Sequence, residues 1–94
     1  MEGVNERLKN FDLIVSKLRD TYEQKNTDYG NSFEESLDEF GAIAFVVRAD
    51  DKMRRLKQLV NNPAKVKDES FEDTVRDLAN YCIMFAMWAG GDSK

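Results

Sequence analysis

Apolar positions recur along the first quarter of the chain with the step of an α-helix. Val4, Leu8, Phe11, Val15, Leu18 and Tyr22 alternate steps of four and three, which draws one stripe down a single helical face. The next two steps land on Lys25 and Tyr29. This pattern predicts a helix over about residues 3–26, because Thr27-Asp28-Tyr29-Gly30-Asn31 has the chemistry of a turn. A short second helix is expected over about residues 33–40, with Phe33, Leu37 and Phe40 inward. Ser32 and Glu35, in capping-box spacing, open it, and Gly41 closes it. A third helix is expected over about residues 42–60, ended by Asn61-Asn62-Pro63. A polar loop over about 61–69 leads to a fourth helix over about 70–89, which starts at a Ser70 cap and stops at Gly90-Gly91. The tail from Gly90 is expected to fray. No segment alternates as a strand does. The expected fold is all-α, a small antiparallel helical bundle of three to four helices forming a single domain over residues 1–94.

Size changes the picture first. A chain of 94 residues buries only about two-thirds of its unfolded surface. The segment Tyr81, Cys82, Ile83, Met84, Phe85, Met87, Trp88 is apolar almost all round its helix and needs cover on several sides. Completion of the bundle as a homo-oligomer through the fourth helix is therefore expected.

Composition then removes whole classes of chemistry. The chain has no histidine, which excludes serine–histidine and cysteine–histidine nucleophiles and histidine-bearing zinc sites. Any metal would be a hard cation on carboxylates, Mg²⁺ or Mn²⁺. The formal net charge of −4 argues against gripping duplex nucleic acid, while leaving room for one small anion in a local basic pocket. The single Cys82, set among apolar neighbours, fits a buried, inert thiol in a reducing cytoplasm. The opening MEGVNERLKNFD is polar and acidic, unlike a signal peptide. No uncharged run reaches the roughly 18 residues of a membrane span.

Charge placement carries the functional signal. At about 100° per residue, Phe45, Val46, Ala49, Met53, Leu56 and Val60 share one face of the third helix. Lys52 falls inside that apolar arc, Arg48 and Arg55 lie on one edge, and Asp51 lies just beyond. On the fourth helix Phe71, Val75, Leu78, Cys82, Phe85 and Ala89 form the expected inner face, edged by Asp73, Asp77 and Asn80. A short loop makes the two helices antiparallel neighbours, so the cationic edge of one meets the acidic edge of the other. The plain reading is a salt-bridge network that fixes register. The functional reading gives Asp73 and Asp77, one turn apart, a divalent cation, and gives Arg48, Lys52 or Arg55 phosphate oxygens.

Three blocks of sequence carry a resemblance. Lys25-Asn26-x-Asp28-Tyr29-Gly30-x-Ser32-Phe33, Arg48-x-x-Asp51-Lys52-x-x-Arg55-Leu56 and Glu69-Ser70-x-x-Asp73-Thr74-x-x-Asp77-Leu78-Ala79-Asn80-Tyr81 look like the nucleotide-modification-associated domain family of phages and prophages. That family in turn resembles, more distantly, the all-α nucleoside triphosphate pyrophosphohydrolases of the MazG type. Those are oligomeric enzymes that use Mg²⁺ on acidic motifs to cleave between the α- and β-phosphates. The resemblance matches Asp73 and Asp77 to the second acidic motif. The first has no clean counterpart, since Glu35 and Asp38 have its spacing but precede Gly41.

Three expectations follow. The first is a Mg²⁺-dependent nucleotide hydrolase with Asp51, Asp73 and Asp77 catalytic, and with Glu69 joining them around the metal. Arg48, Lys52, Arg55, Lys25 and Asn80 would contact the nucleotide, and Tyr29 or Phe33 would stack on the base. The second is a non-catalytic oligomer that binds and sequesters a nucleotide. The third is an adaptor bundle that meets another protein through its apolar last helix.

Overall fold

The computed structural model describes residues 2–29, 31–62 and 70–91. Among them the chain is all-α, with four helices and no strand. It divides into two units, Met1–Gly30 and Asn31–Lys94.

The first unit is one long helix, α1 (Glu2–Tyr29). It continues past Asn26 through Thr27, Asp28 and Tyr29, which were expected to turn. None of those three residues is a helix breaker of the strength of glycine or proline, so local turn propensity yields to the propagating helix. Gly30, part of the expected turn, lies outside the described residues. Val4, Leu8, Phe11 and Val15 of the stripe are exposed, while Leu18 is buried.

The second unit holds α2 (Ser32–Phe40), α3 (Ala42–Asn61) and α4 (Phe71–Gly90), packed as a bundle. The cap of α2 differs from expectation. Ser32 is already helical, the N-cap is Asn31 without a side-chain cap bond, and the Ser36 hydroxyl donates to the Ser32 carbonyl at 3.1 Å. One residue, Gly41, joins α2 to α3 at φ 76° and ψ −157°, a region essentially confined to glycine. Its N–H donates to the Leu37 carbonyl at 2.8 Å, so the helix is capped as the chain reverses. Asn62 leaves α3 in extended conformation, as a residue before proline must. Ser70 caps α4, its hydroxyl accepting the Asp73 N–H at 3.0 Å, while the Thr74 hydroxyl donates back to the Ser70 carbonyl at 3.1 Å. At the far end a Cβ on Gly91 would run into the Met87 carbonyl oxygen, so close backbone approach requires glycine there.

Side-chain pairs fix the packing. Phe45 meets Phe85, Arg48 meets Tyr81, and Lys52 meets Asp77. Numbers rise on α3 as they fall on α4, so these helices are antiparallel. Phe33 meets Tyr81 and Asp38 meets Trp88, so α2 runs along α4 in the same direction. Phe33, Leu37, Leu56 and Leu59 form the core of this unit, with Leu37 only 1% exposed.

The inner faces are rotated from the expected ones. On α3 the seam is made by Phe45, Ala49, Lys52, Leu56 and Leu59, while Val46, Met53 and Val60 are exposed. On α4 it is made by Thr74, Asp77, Tyr81, Phe85 and Trp88, while Phe71, Val75 and Cys82 are exposed. The physical reason is that the second half of α4 is apolar almost all round, so its stripe does not select one inner face. Contacts from α2 to Tyr81 and Trp88 set its rotation instead.

Candidate functional site

The rotation brings charge onto the seam. Arg48 and Lys52 are one turn apart on α3, and Asp77 and Tyr81 are one turn apart on α4. Facing each other, the two pairs make a square. Lys52 Nζ lies 3.5 Å from Asp77 Oδ2 and 6.0 Å from the centre of the Tyr81 ring. The Arg48 guanidinium carbon lies 5.9 Å from the same centre. Both cations thus stand at about the 6 Å limit of favourable cation–π contact, sharing one ring. Behind them Phe33, buried, presents its edge to Tyr81 with centroids 4.9 Å apart at 73°.

Two cations and one carboxylate leave the square locally positive in a chain of net charge −4. Lys52 and Asp77 are each about a third exposed, so water still screens much of their attraction. Arg54, by contrast, is engaged by Asp50 on its own helix at 2.8 Å, and that hydrogen bond pushes its guanidinium above the ordinary arginine range. It stands apart from the square.

Other expected residues are placed as follows. Arg55 is half-buried and engaged by other groups. Asp51 and Asp73 are exposed. Asn80 is buried and partnered. Phe33, expected as a base-stacking candidate, has no open face, because Tyr81 and the core cover it. Lys25 is an exposed, partnered residue of α1. The Tyr29 side chain and the whole of Glu69 lie outside the described residues. Among the described residues no three carboxylate or thiol groups converge to hold a metal ion.

Tyr81 is the residue that sequence reasoning missed as a site component, since it opens an apolar run and reads as core. The available signal was its spacing, four after Asp77 and therefore on the same face. Chemically, the square can hold an anion: two fixed cations present N–H donors, an aromatic ring confines them, and the carboxylate orients the lysine.

No helix among the described residues is long and apolar enough to cross a membrane. Neither the curated proteins nor the solved structures offer a match to the chain. A family model does match, over residues 25–88, a span that includes α2, α3, the whole square and all three sequence blocks. The chain belongs to the family described as Nucleotide modification associated domain 1.

Proposed function

We propose that the chain binds a nucleotide, with its phosphates on Arg48 and Lys52 at the seam of α3 and α4. The observation that supports this reading is the pair of cations beside Tyr81 in a member of a nucleotide-associated family. Asp77 keeps Lys52 aimed and Arg55 extends the basic edge.

A second reading adds chemistry. Asp73 and Asp77 are one turn apart on α4, the first exposed and the second half-buried. Mg²⁺ characteristically takes one or two carboxylates together with substrate phosphates and keeps several waters. It therefore needs no cage of three protein ligands, and this pair suits an ion that arrives with the nucleotide, with Asp51 and Glu69 proposed as further ligands. That ion would neutralise charge developing on phosphate oxygens. Hydrolysis of a phosphate linkage is what the resemblance of the sequence motifs to all-α pyrophosphohydrolases implies.

A thermal-shift screen of nucleotides, with and without Mg²⁺, tests binding. A ligand at a hundred times its dissociation constant stabilises by about 2.7 kcal/mol, a clear rise for so small a chain. Lys52→Met and Arg48→Met should each reduce the shift. No shift with any nucleotide defeats the proposal. For hydrolysis, Asp73→Asn should abolish turnover and spare binding; binding without turnover, with Mg²⁺ or Mn²⁺ present, leaves a sequestering protein.

A further inference from the structure

The seam of α3 and α4 continues past the square. Phe45 stands one turn before Arg48 on α3, and Phe85 and Trp88 stand one and two turns beyond Tyr81 on α4. These three rings are in contact. Phe45 and Phe85 have centroids 5.0 Å apart at 33°, and Phe85 and Trp88 are 5.9 Å apart at 41°. Both pairs lie nearer to parallel than Phe33 and Tyr81, which meet at 73°. All three rings are half-buried, whereas Phe33 is 7% exposed, so the row stands at the boundary with solvent. The Trp88 N–H is already given to Asp38 at 2.9 Å. An indole has one donor and no acceptor, so what Trp88 still offers a ligand is its ring.

Along the seam the side chains therefore change in one direction. Lys52 faces Asp77, Arg48 faces Tyr81, Phe45 faces Phe85, and Trp88 follows. Phe45 precedes Lys52 by two turns, about 10 Å of helix. A nucleotide changes in the same order along its length and over a comparable span, from charged phosphates through a sugar to a flat base. We infer that Phe45, Phe85 and Trp88 form the base subsite. The base stacks on Phe85 and Trp88 while the phosphates lie on Arg48 and Lys52. This inference rests on the reading of the square as a phosphate site and adds what occupies its other end. It moves the stacking contact away from Phe33, which has no open face, to rings that keep exposed surface. Every base has a π-face, so such a row selects nucleotides over phosphates that carry no base and discriminates little among the bases.

The test is a calorimetric titration of the full chain with ADP, GDP, CDP and UDP and, as a ligand without a base, pyrophosphate. Phe85→Leu should weaken nucleotide binding on the order of tenfold, the loss of one stacked ring, and leave pyrophosphate binding as in the wild type. Should that variant fail to fold, Phe45→Leu on the facing helix provides the same comparison. The wild type gives a second readout, because Trp88 is the one tryptophan of the sequence. Its emission, corrected for absorption by the base, should be quenched by the nucleotides and unchanged by pyrophosphate. Rings that only hold the helices together would behave differently. A loss shared equally by pyrophosphate, nucleotide affinity unchanged in the leucine variant, or calorimetric binding that leaves Trp88 emission unaltered each overturns the base subsite while the phosphate site stands. Absence of binding by all four nucleotides defeats the nucleotide reading itself, and the base subsite with it.

Discussion

Lys52 and Asp77 face each other across the α3–α4 seam at 3.5 Å, with side chains 30% and 32% exposed. Their separation is at the long end for an ion pair and their exposure is substantial, so solvent takes back much of the Coulomb attraction. A double-mutant cycle with Lys52→Met and Asp77→Asn, read by denaturant unfolding, is expected to give a coupling of about 0.2–1 kcal/mol. A coupling of several kcal/mol would mean that the pair is a main support of the fold rather than a poised polar contact.

Tyr81 should matter more to the fold than either charge. Tyr81→Leu removes the edge contact with Phe33 and the ring beneath both cations, with an expected loss of about 1–3 kcal/mol from the lost aromatic contacts and area. Tyr81→Phe keeps the ring and should stay within about 1 kcal/mol of wild type. Equal destabilisation by both changes, measured under the same conditions, would count against the ring as the contact that matters.

Gly41 supplies a clean backbone test. A Cβ there would meet no atom within 4 Å, so the penalty of Gly41→Ala is torsional and not steric crowding from neighbours. The expected loss is about 1–3 kcal/mol, seen as a lower midpoint in urea with an unchanged slope. An alanine variant as stable as wild type would show that the connection between α2 and α3 relaxes readily.

Ser70 closes the start of α4. Ser70→Ala leaves the Asp73 N–H without its acceptor and should cost about 1 kcal/mol, whereas Ser70→Asp should retain most of the cap. Hydrogen exchange of the first turn of α4 would localise the effect. Uniform loss of protection along the helix, with no change at Asp73 beyond the rest, would contradict a local role.

Legibility from sequence varied with the kind of signal. Helix positions were readable because period and punctuation agreed: Pro63 marked the end of α3, Ser70 the cap of α4, and Gly41 the junction. The end of α1 was misjudged, because Thr27 and Asp28 favour turns only where no helix is already propagating into them. Ser32 was misjudged as a cap by one residue, the usual uncertainty of a helix boundary. The meeting of Lys52 with Asp77 followed from edges and antiparallel order. The rotation of the faces did not, because on a helix as apolar as α4 only contacts distant in sequence, such as Phe33 with Tyr81, select the inward side. Tyr81 was hidden for the same reason. In a chain whose last helix is so apolar, its aromatic character made it look ordinary.

Trp88 donates its indole N–H to Asp38 Oδ1 at 2.9 Å, joining the last turns of α4 to the short helix α2. It is the one tryptophan in the sequence. Its fluorescence therefore reports a single locus, quenched or shifted as the indole exchanges a carboxylate for water. Detachment of α2, nine residues long and anchored at one end by Gly41, can be followed optically without any added label.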